Sequence, residues 1–342
     1  MPENIRPRLG LAIGTGDLGL TAELELTRQA EALGYDSVWI AEAWGRGAFT
    51  RLGALAAQTH RIGLGTAIVN IFSRSAALLA QEAATVDELT QGRFILGLGS
   101  SGPNVITGWH GIPYEKPIHR TREVIEVIRL VLSGEPVYHE GPLIRLQQGI
   151  RLPFTPVRRN LPIFVASFGP KNVQMTGEVA DGWIPIYVSP EHLPELMAPL
   201  QDGMQAAGRS LEEMTVAPLV SCAVGETSEE LEQAKNAMCR QLAFYIGAMG
   251  DYYYRLIQRY GFAAEADRIR ELWQAKEHRQ AAEAVSEALL HSVAVIGTPQ
   301  QARQRLLRYF EAGVHLPILA PAQQLNPSQA LKTIEALAPT RF

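Results

Sequence analysis

Ile163-Phe164-Val165-Ala166-Ser167-Phe168-Gly169-Pro170-Lys171 reads as a short apolar strand that runs directly into a helix start. Gly169 stands where an N-cap belongs, and Pro170 takes the first helical position, where its missing N–H costs nothing. The free N–H groups of that first turn, with no large side chain at Gly169 to block approach, make an anion site, and a phosphate is its natural guest. The alternative is a plain strand-to-helix turn punctuated by Gly-Pro. Downstream, Gly177 to Ile184 ends a helix and opens another apolar strand, so the cradle sits inside a βαβ unit.

Two further stretches carry titratable groups. Trp39-Ile40-Ala41-Glu42-Ala43-Trp44 ends a strand with a carboxylate and an indole. Glu42 serves either as a general acid or base, or as a hydrogen-bond acceptor for a ligand N–H, or as an ordinary paired rim carboxylate. Trp109-His110-Gly111 offers an aromatic surface and a titratable imidazole. His110 is therefore the second candidate catalytic residue, against the alternative of a merely exposed loop histidine. Gly65-Thr66-Ala67-Ile68-Val69-Asn70 ends another strand in small residues, which either let a flat ring approach the backbone or simply pack.

Gly97-Leu98-Gly99-Ser100-Ser101-Gly102 matches GxGxxG literally, yet Pro103-Asn104 follows where a dinucleotide-binding helix should open. A glycine-rich strand end is the reading adopted. The 8 histidines show no HxxxH or HExxH spacing, so no metal site is expected. Gly-x-Ser-x-Gly is absent, which leaves a nucleophile-elbow hydrolase without support.

These residues need a scaffold, and the chain supplies a repeating one. Apolar runs at Leu9–Gly14, Ser37–Glu42, Ile62–Val69, Phe94–Gly99, Ile163–Ser167, Trp183–Tyr187, Val216–Gly225 and Leu316–Ala320 alternate with helical patterns. Helix starts are marked by Ser189-Pro190, Thr227 with Glu230, Thr298-Pro299 with Gln301, and Asn326-Pro327 with Gln329. Strands this uniformly apolar belong to a parallel sheet covered by helices. Eight β/α units without a linker predict an α/β fold: a single (β/α)8 TIM barrel spanning 1–342 with loop insertions near 100–116, 135–162 and 240–292. A helix is expected at Pro117–Leu132, and the last insertion reads as helices forming a lid or an oligomer interface.

Composition sets the surroundings. Lys and Arg total 31 against 35 Asp and Glu, scattered along the chain, which argues against a nucleic-acid partner or an anionic membrane surface. No run approaches the roughly 18 apolar residues of a membrane span, and no apolar leader opens the chain. Cys222 and Cys239 fall on a strand and a helix without forming a cluster, as in a reduced cytoplasm.

The order and spacing of several pieces resemble one family. They are Arg61 to Ile68, Gly92 to Gly99, Gly108-Trp109-His110-Gly111 with Pro113-Tyr114, Gly169-Pro170-Lys171, Gly177 to Gly182, and Gly297-Thr298-Pro299 before Glu311-Ala312-Gly313-Val314. Together they resemble the bacterial-luciferase-like flavin monooxygenase superfamily, in the branch of deazaflavin (coenzyme F420)-dependent oxidoreductases akin to methylene-tetrahydromethanopterin reductase. The resemblance implies a hydride-transfer enzyme with the cofactor ring in the barrel mouth against Ala67, Ile68 and Asn70. It implies a cis Ala67–Ile68 peptide bulging toward that ring, and a phosphate on Ser167, Gly169, Pro170, Lys171 and Asn172. The substrate is then a small molecule, the expected assembly a homodimer, and FMN-dependent monooxygenation the alternative within the fold. Outside it stands a non-redox barrel that binds a sugar phosphate. In the deazaflavin branch the second strand commonly ends in Asp-His, whereas Glu42-Ala43 stands here, which leaves proton transfer to Glu42, His110 or the substrate.

Overall fold

The computed structural model describes residues 7–13 and 19–342. Eight strands form the framework: β1 (Gly10–Ile13), β2 (Ser37–Ile40), β3 (Gly63–Thr66), β4 (Phe94–Gly99), β5 (Ile163–Ala166), β6 (Gly182–Trp183), β7 (Leu219–Val224) and β8 (Ile318–Pro321). Neighbours pair in parallel, and β1 also pairs with β8 through Gly10↔Ile318 and Leu11↔Leu319, which closes the ring. Each expected apolar run contributes a strand, though that at Trp183–Tyr187 is cut to Gly182–Trp183; Gly14, the last residue of the first run, lies outside the described residues.

The expected strand Val216–Gly225 is broken. Pro218 cannot donate to a ladder, so the chain divides into Thr215–Val216, which pairs with β6, and β7, which pairs with β8. Hydrogen bonds from Ala217 N–H to Trp183 O and from Leu219 N–H to Pro185 O, both 2.8 Å, carry the ring across the break. The insertion at 135–162, read from sequence as a glycine- and proline-rich loop, contains a small antiparallel ribbon pairing His139 with Leu146 and Glu140 with Arg145. Val295–Gly297 adds a parallel strand outside the ring against the end of β7. Pieces of two or three residues leave no periodic signal to read.

Large side chains fill the barrel where glycines make room. Trp39 and Phe164, with ring centroids 5.7 Å apart, occupy the interior with Ala12, Ile184, Ala217 and Ile318. A Cβ on Gly65 would lie 2.6 Å from the Trp39 ring, and one on Gly182 would lie 2.4 Å from Phe164. Gly65 is therefore a packing residue and not a place for a ligand ring. Gly97 is the same: its Cβ would stand 1.8 Å from Thr66 O, which confirms the strand-end reading of the glycine motif.

Three of the expected helix starts cap as read, Asn326 on the Gln329 N–H and Thr227/Glu230 and Thr298/Gln301 as reciprocal capping boxes, whereas the Ser189 hydroxyl bonds Glu191 and Pro190–His192 is a 3-10 turn ahead of the helix Leu193–Ala206. The long insertion forms helices Ser228–Ala248, Asp251–Arg259, Ala263–Gln274, His278–Glu283 and Glu287–Val293, which share an apolar core of their own. No described helix is long and apolar enough to cross a membrane.

Candidate active site

The C-terminal ends of the strands form the mouth, where sites in such barrels are built. β2 and β3 are tied together just beyond their last pair: Ala67 N–H bonds Ile40 O at 2.9 Å, and Glu42 N–H bonds Ile68 O at 3.0 Å. The Ala67–Ile68 peptide is cis, as the resemblance implied. This bracing fixes the backbone of Glu42 at the rim.

The Glu42 carboxylate accepts a fork from Arg74, 2.5 Å from Nη1 and 3.0 Å from Nη2, and also the Ala48 N–H at 2.7 Å. Arg74 lies over the Phe49 ring at 5.3 Å and places its Nε 2.8 Å from Glu82. Burial alone would raise the Glu42 pKa. The Arg74 fork, the Ala48 N–H and the charges of Arg74 and His110 outweigh burial and hold it below the ordinary value. For Glu82 burial wins, reinforced by the Glu42 charge, and its pKa lies above the ordinary value. Glu42 is thus a fixed anion with most acceptor positions used, which is poor equipment for a proton donor.

His110 comes from the loop after β4, where its N–H bonds Val105 O at 3.1 Å. Its charge acts on Glu42, so the two expected catalytic residues do share one corner of the mouth. His110 Nε2 is buried and has no hydrogen-bond partner. Nearby, Tyr114 stacks on Phe72 at 5.2 Å and anchors its hydroxyl on Ser100 Oγ and Ser101 O.

At the end of β3, Asn70 Oδ1 accepts from Phe72 N–H and Ser73 N–H at 3.0 and 2.8 Å. Asn70 Nδ2 and Ser73 Oγ remain buried without partners. Ala67 belongs to the apolar interior cluster around Trp39 and Phe164, and Ile68, Ala166 and Ala320 pack against that cluster.

The turn after β5 is built on Gly169, whose φ of 72° with ψ of 144° is a conformation only glycine adopts readily. Its carbonyl accepts from Asn172 N–H and Val173 N–H, which starts the helix Pro170–Val179. A Cβ on Gly169 would meet nothing within 4 Å, so approach from that side is open. Lys171 is exposed, and Asn172 Oδ1 is buried without a partner. Ser167 sits beneath the turn: its hydroxyl is bonded to Thr176 Oγ1 at 2.7 Å and its carbonyl accepts Trp183 Nε1–H.

The long insertion reaches this turn. Tyr252 stacks on Phe168 at 4.1 Å, and its hydroxyl lies close enough to the Gly169 backbone to feel it electrostatically. Burial pushes the Tyr252 phenol up to about 12. Gly169, Pro170, Trp183, Tyr252 and Arg259 line a small cleft beside the turn.

A buried polar atom left unpaired costs roughly 1–3 kcal/mol, so a cluster of them marks where a polar ligand belongs. His110 Nε2, Asn70 Nδ2 and Ser73 Oγ stand beyond β3 and β4 and can hydrogen-bond a polar ring, and the N–H groups at the start of the Pro170–Val179 helix can receive a phosphate. Among the described residues no group of His, Cys, Asp or Glu could hold a metal. Sequence reasoning did not single out Arg74, Glu82 or Tyr252 as site residues, because their partners lie far away in the chain.

Comparison with known proteins gives a consistent picture. The profile of the luciferase-like monooxygenases matches residues 5–316. A Mycobacterium tuberculosis protein named as a coenzyme F420-dependent oxidoreductase is 32% identical, covering 95% of this chain and 98% of its own. The 5,10-methylenetetrahydromethanopterin reductase of Methanolobus tindarius is 29% identical over 89% of this chain and 91% of its own. Among solved structures, the coenzyme F420-dependent tetrahydromethanopterin reductase of Methanopyrus kandleri superposes with a TM-score of 0.86 at 23% identity, covering 98% of each chain.

Proposed function

The chain belongs to the luciferase-like monooxygenase family, and on that premise we propose that it is an oxidoreductase moving a hydride between a deazaflavin of the coenzyme F420 type and a small organic substrate. The 32% identical relative named for that coenzyme supports the choice of cofactor. The observation that carries the reading is the set of unpartnered buried atoms of His110, Asn70 and Ser73 around the mouth. When bound, the deazaflavin supplies the hydride at its C5.

This chain's residues supply placement and proton handling. Ala67, Ile68 and Asn70 hold the ring, and Gly169, Pro170, Lys171 and Asn172 receive the phosphate, with Ser167 anchoring the turn from below. His110 Nε2, free and buried, exchanges the proton with the reacting substrate oxygen. Glu42, clamped by Arg74, is a fixed anion at the same corner of the mouth.

The test is a fluorescence titration of the purified protein with coenzyme F420 and with FMN. Tight binding of F420 by a colourless protein is the expected result. A protein that is yellow as purified, or that prefers FMN, is instead an FMN-dependent monooxygenase.

A further inference from the structure

Arg120 stands near the start of the helix Pro117–Leu132, its guanidinium carbon 5.0 Å from the centre of the Phe72 ring. Phe72 is buried and held twice: its N–H bonds Asn70 Oδ1, and Tyr114 stacks on it at 5.2 Å. Asn70 pairs with Gly99, the last residue of β4, and the Tyr114 hydroxyl is tied to Ser100 Oγ and Ser101 O just beyond that strand. The guanidinium is thereby placed past the C-terminal ends of β3 and β4, on the mouth side of the barrel.

No group on the described residues answers its charge. The Arg120 side chain makes no hydrogen bond and no ion pair with them, and its Nε is buried without a partner. Arg74, also beyond β3, is by contrast held by both Glu42 and Glu82. The first turn of the Arg120 helix contains no acidic residue either. An enclosed donor with no partner is costly, and an anion on the rest of the guanidinium offsets that cost. Phe72 covers one face and Nε is enclosed, which leaves the edge formed by the two Nη groups for a ligand. That edge matches a carboxylate, donor for oxygen, and one guanidinium balances one carboxylate charge. A phosphate has its own cradle of backbone N–H groups after β5 and does not need Arg120.

We propose that Arg120 is a specificity-determining residue: its two Nη groups receive the carboxylate of a small organic acid, which is the redox substrate. The assignment rests on the oxidoreductase reading and adds the substrate class to it. The carboxylate anchors the molecule and does not react; hydride transfer takes place at another carbon of the same acid. A neutral analogue forfeits the fork and leaves the cation unanswered, so discrimination comes from charge.

The experiment is a ¹⁹F NMR titration of the full chain, with and without added deazaflavin, using 4-fluorobenzoate and its neutral isostere 4-fluorobenzamide as probes. The benzoate is expected to bind about tenfold more tightly than the benzamide, or better. Arg120→Met, which keeps an unbranched stem against Phe72, should weaken the benzoate by about 10- to 100-fold and leave the benzamide unchanged. Arg120→Lys, which keeps the charge and loses the fork, should bind benzoate more weakly than wild type and more tightly than Arg120→Met. Equal affinity for the two probes overturns the proposal, as does absence of benzoate binding in both conditions. Wild-type benzoate affinity in either variant overturns it as well. So does a loss of coenzyme F420 affinity in Arg120→Met that a deazaflavin without the phosphate tail does not share, since Arg120 then serves the cofactor. Deazaflavin binding by the wild-type sample is a separate readout: if it alone fails, the redox reading is lost and the carboxylate site stands.

Discussion

At the ends of β2 and β3 the mouth is held by side chains from distant positions, with Arg74 gripping Glu42 across 32 residues, whereas at the end of β5 the turn takes its shape from the Gly169 backbone, with Thr176, Trp183 and Tyr252 packed around it. The first region stores its function in charge. The second stores it in the dihedral angles of one glycine and the open donors of one helix start. A backbone cradle is indifferent to what lies across the mouth; an ion pair works only if both partners arrive. The first region can therefore be retuned by single substitutions, while the second tolerates almost none at its centre.

The largest expected effect falls on the side-chain region. His110→Ala should slow single-turnover oxidation of reduced deazaflavin by roughly 10²–10⁴-fold at saturating cofactor, with cofactor affinity unchanged. A rate within about threefold of wild type would remove His110 from proton transfer and leave the substrate to supply its own.

Next comes the ion pair itself. Arg74→Ala leaves two largely buried carboxylates facing each other, which should cost on the order of 3 kcal/mol in urea unfolding at neutral pH. Without the guanidinium both carboxyls titrate above their unfolded values, so the deficit is present at high pH and shrinks as pH falls through those raised values. A deficit that is flat with pH would mean that Arg74 acts by packing over Phe49 and not by charge.

On the backbone side, Gly169→Val should weaken deazaflavin binding by roughly 1–3 kcal/mol, by straining the turn and closing the open approach. Unchanged affinity would put the phosphate at another place, after β7 and β8 being the usual one in such barrels.

The smallest effect comes from the Arg305 fork on Glu191, whose carboxylate is about half exposed where that of Glu42 is largely buried. The Arg305 hydrogen bonds hold the Glu191 carboxyl down at about 2. Its contribution is present above the unfolded value of roughly 4.3 and is lost as pH falls toward 2. Glu191→Gln should flatten the acid arm of the stability curve only slightly, as expected for a solvent-screened pair.

The same contrast decides what could be read from the residues alone. All eight barrel strands announce themselves as contiguous apolar runs, and the Gly169-Pro170 start is a local signal. Glu42 and His110 were recognisable as rim groups because each follows a strand. That Glu42 is clamped was not recognisable, since Arg74 and Glu82 sit on later elements and nothing in the order of residues pairs them. The stacking of Tyr252 on Phe168 beside the Gly169 turn was hidden for the same reason, a separation in the chain bridged only by the fold.

Closure of the ring has a consequence for the order of folding. β1 waits for β8, and the ends are stitched again where Tyr35 donates to Ile334 O across 299 residues and Gln29 to Glu335 across 306. Contacts this remote are the slowest to form, and the helical block from Ser228 to Val293 must be made before β8 can arrive. During synthesis the nascent sheet therefore carries an unpaired edge along Gly10–Ile13 until the last strand has left the ribosome, and that edge is where a chaperone or a neighbouring chain would first attach.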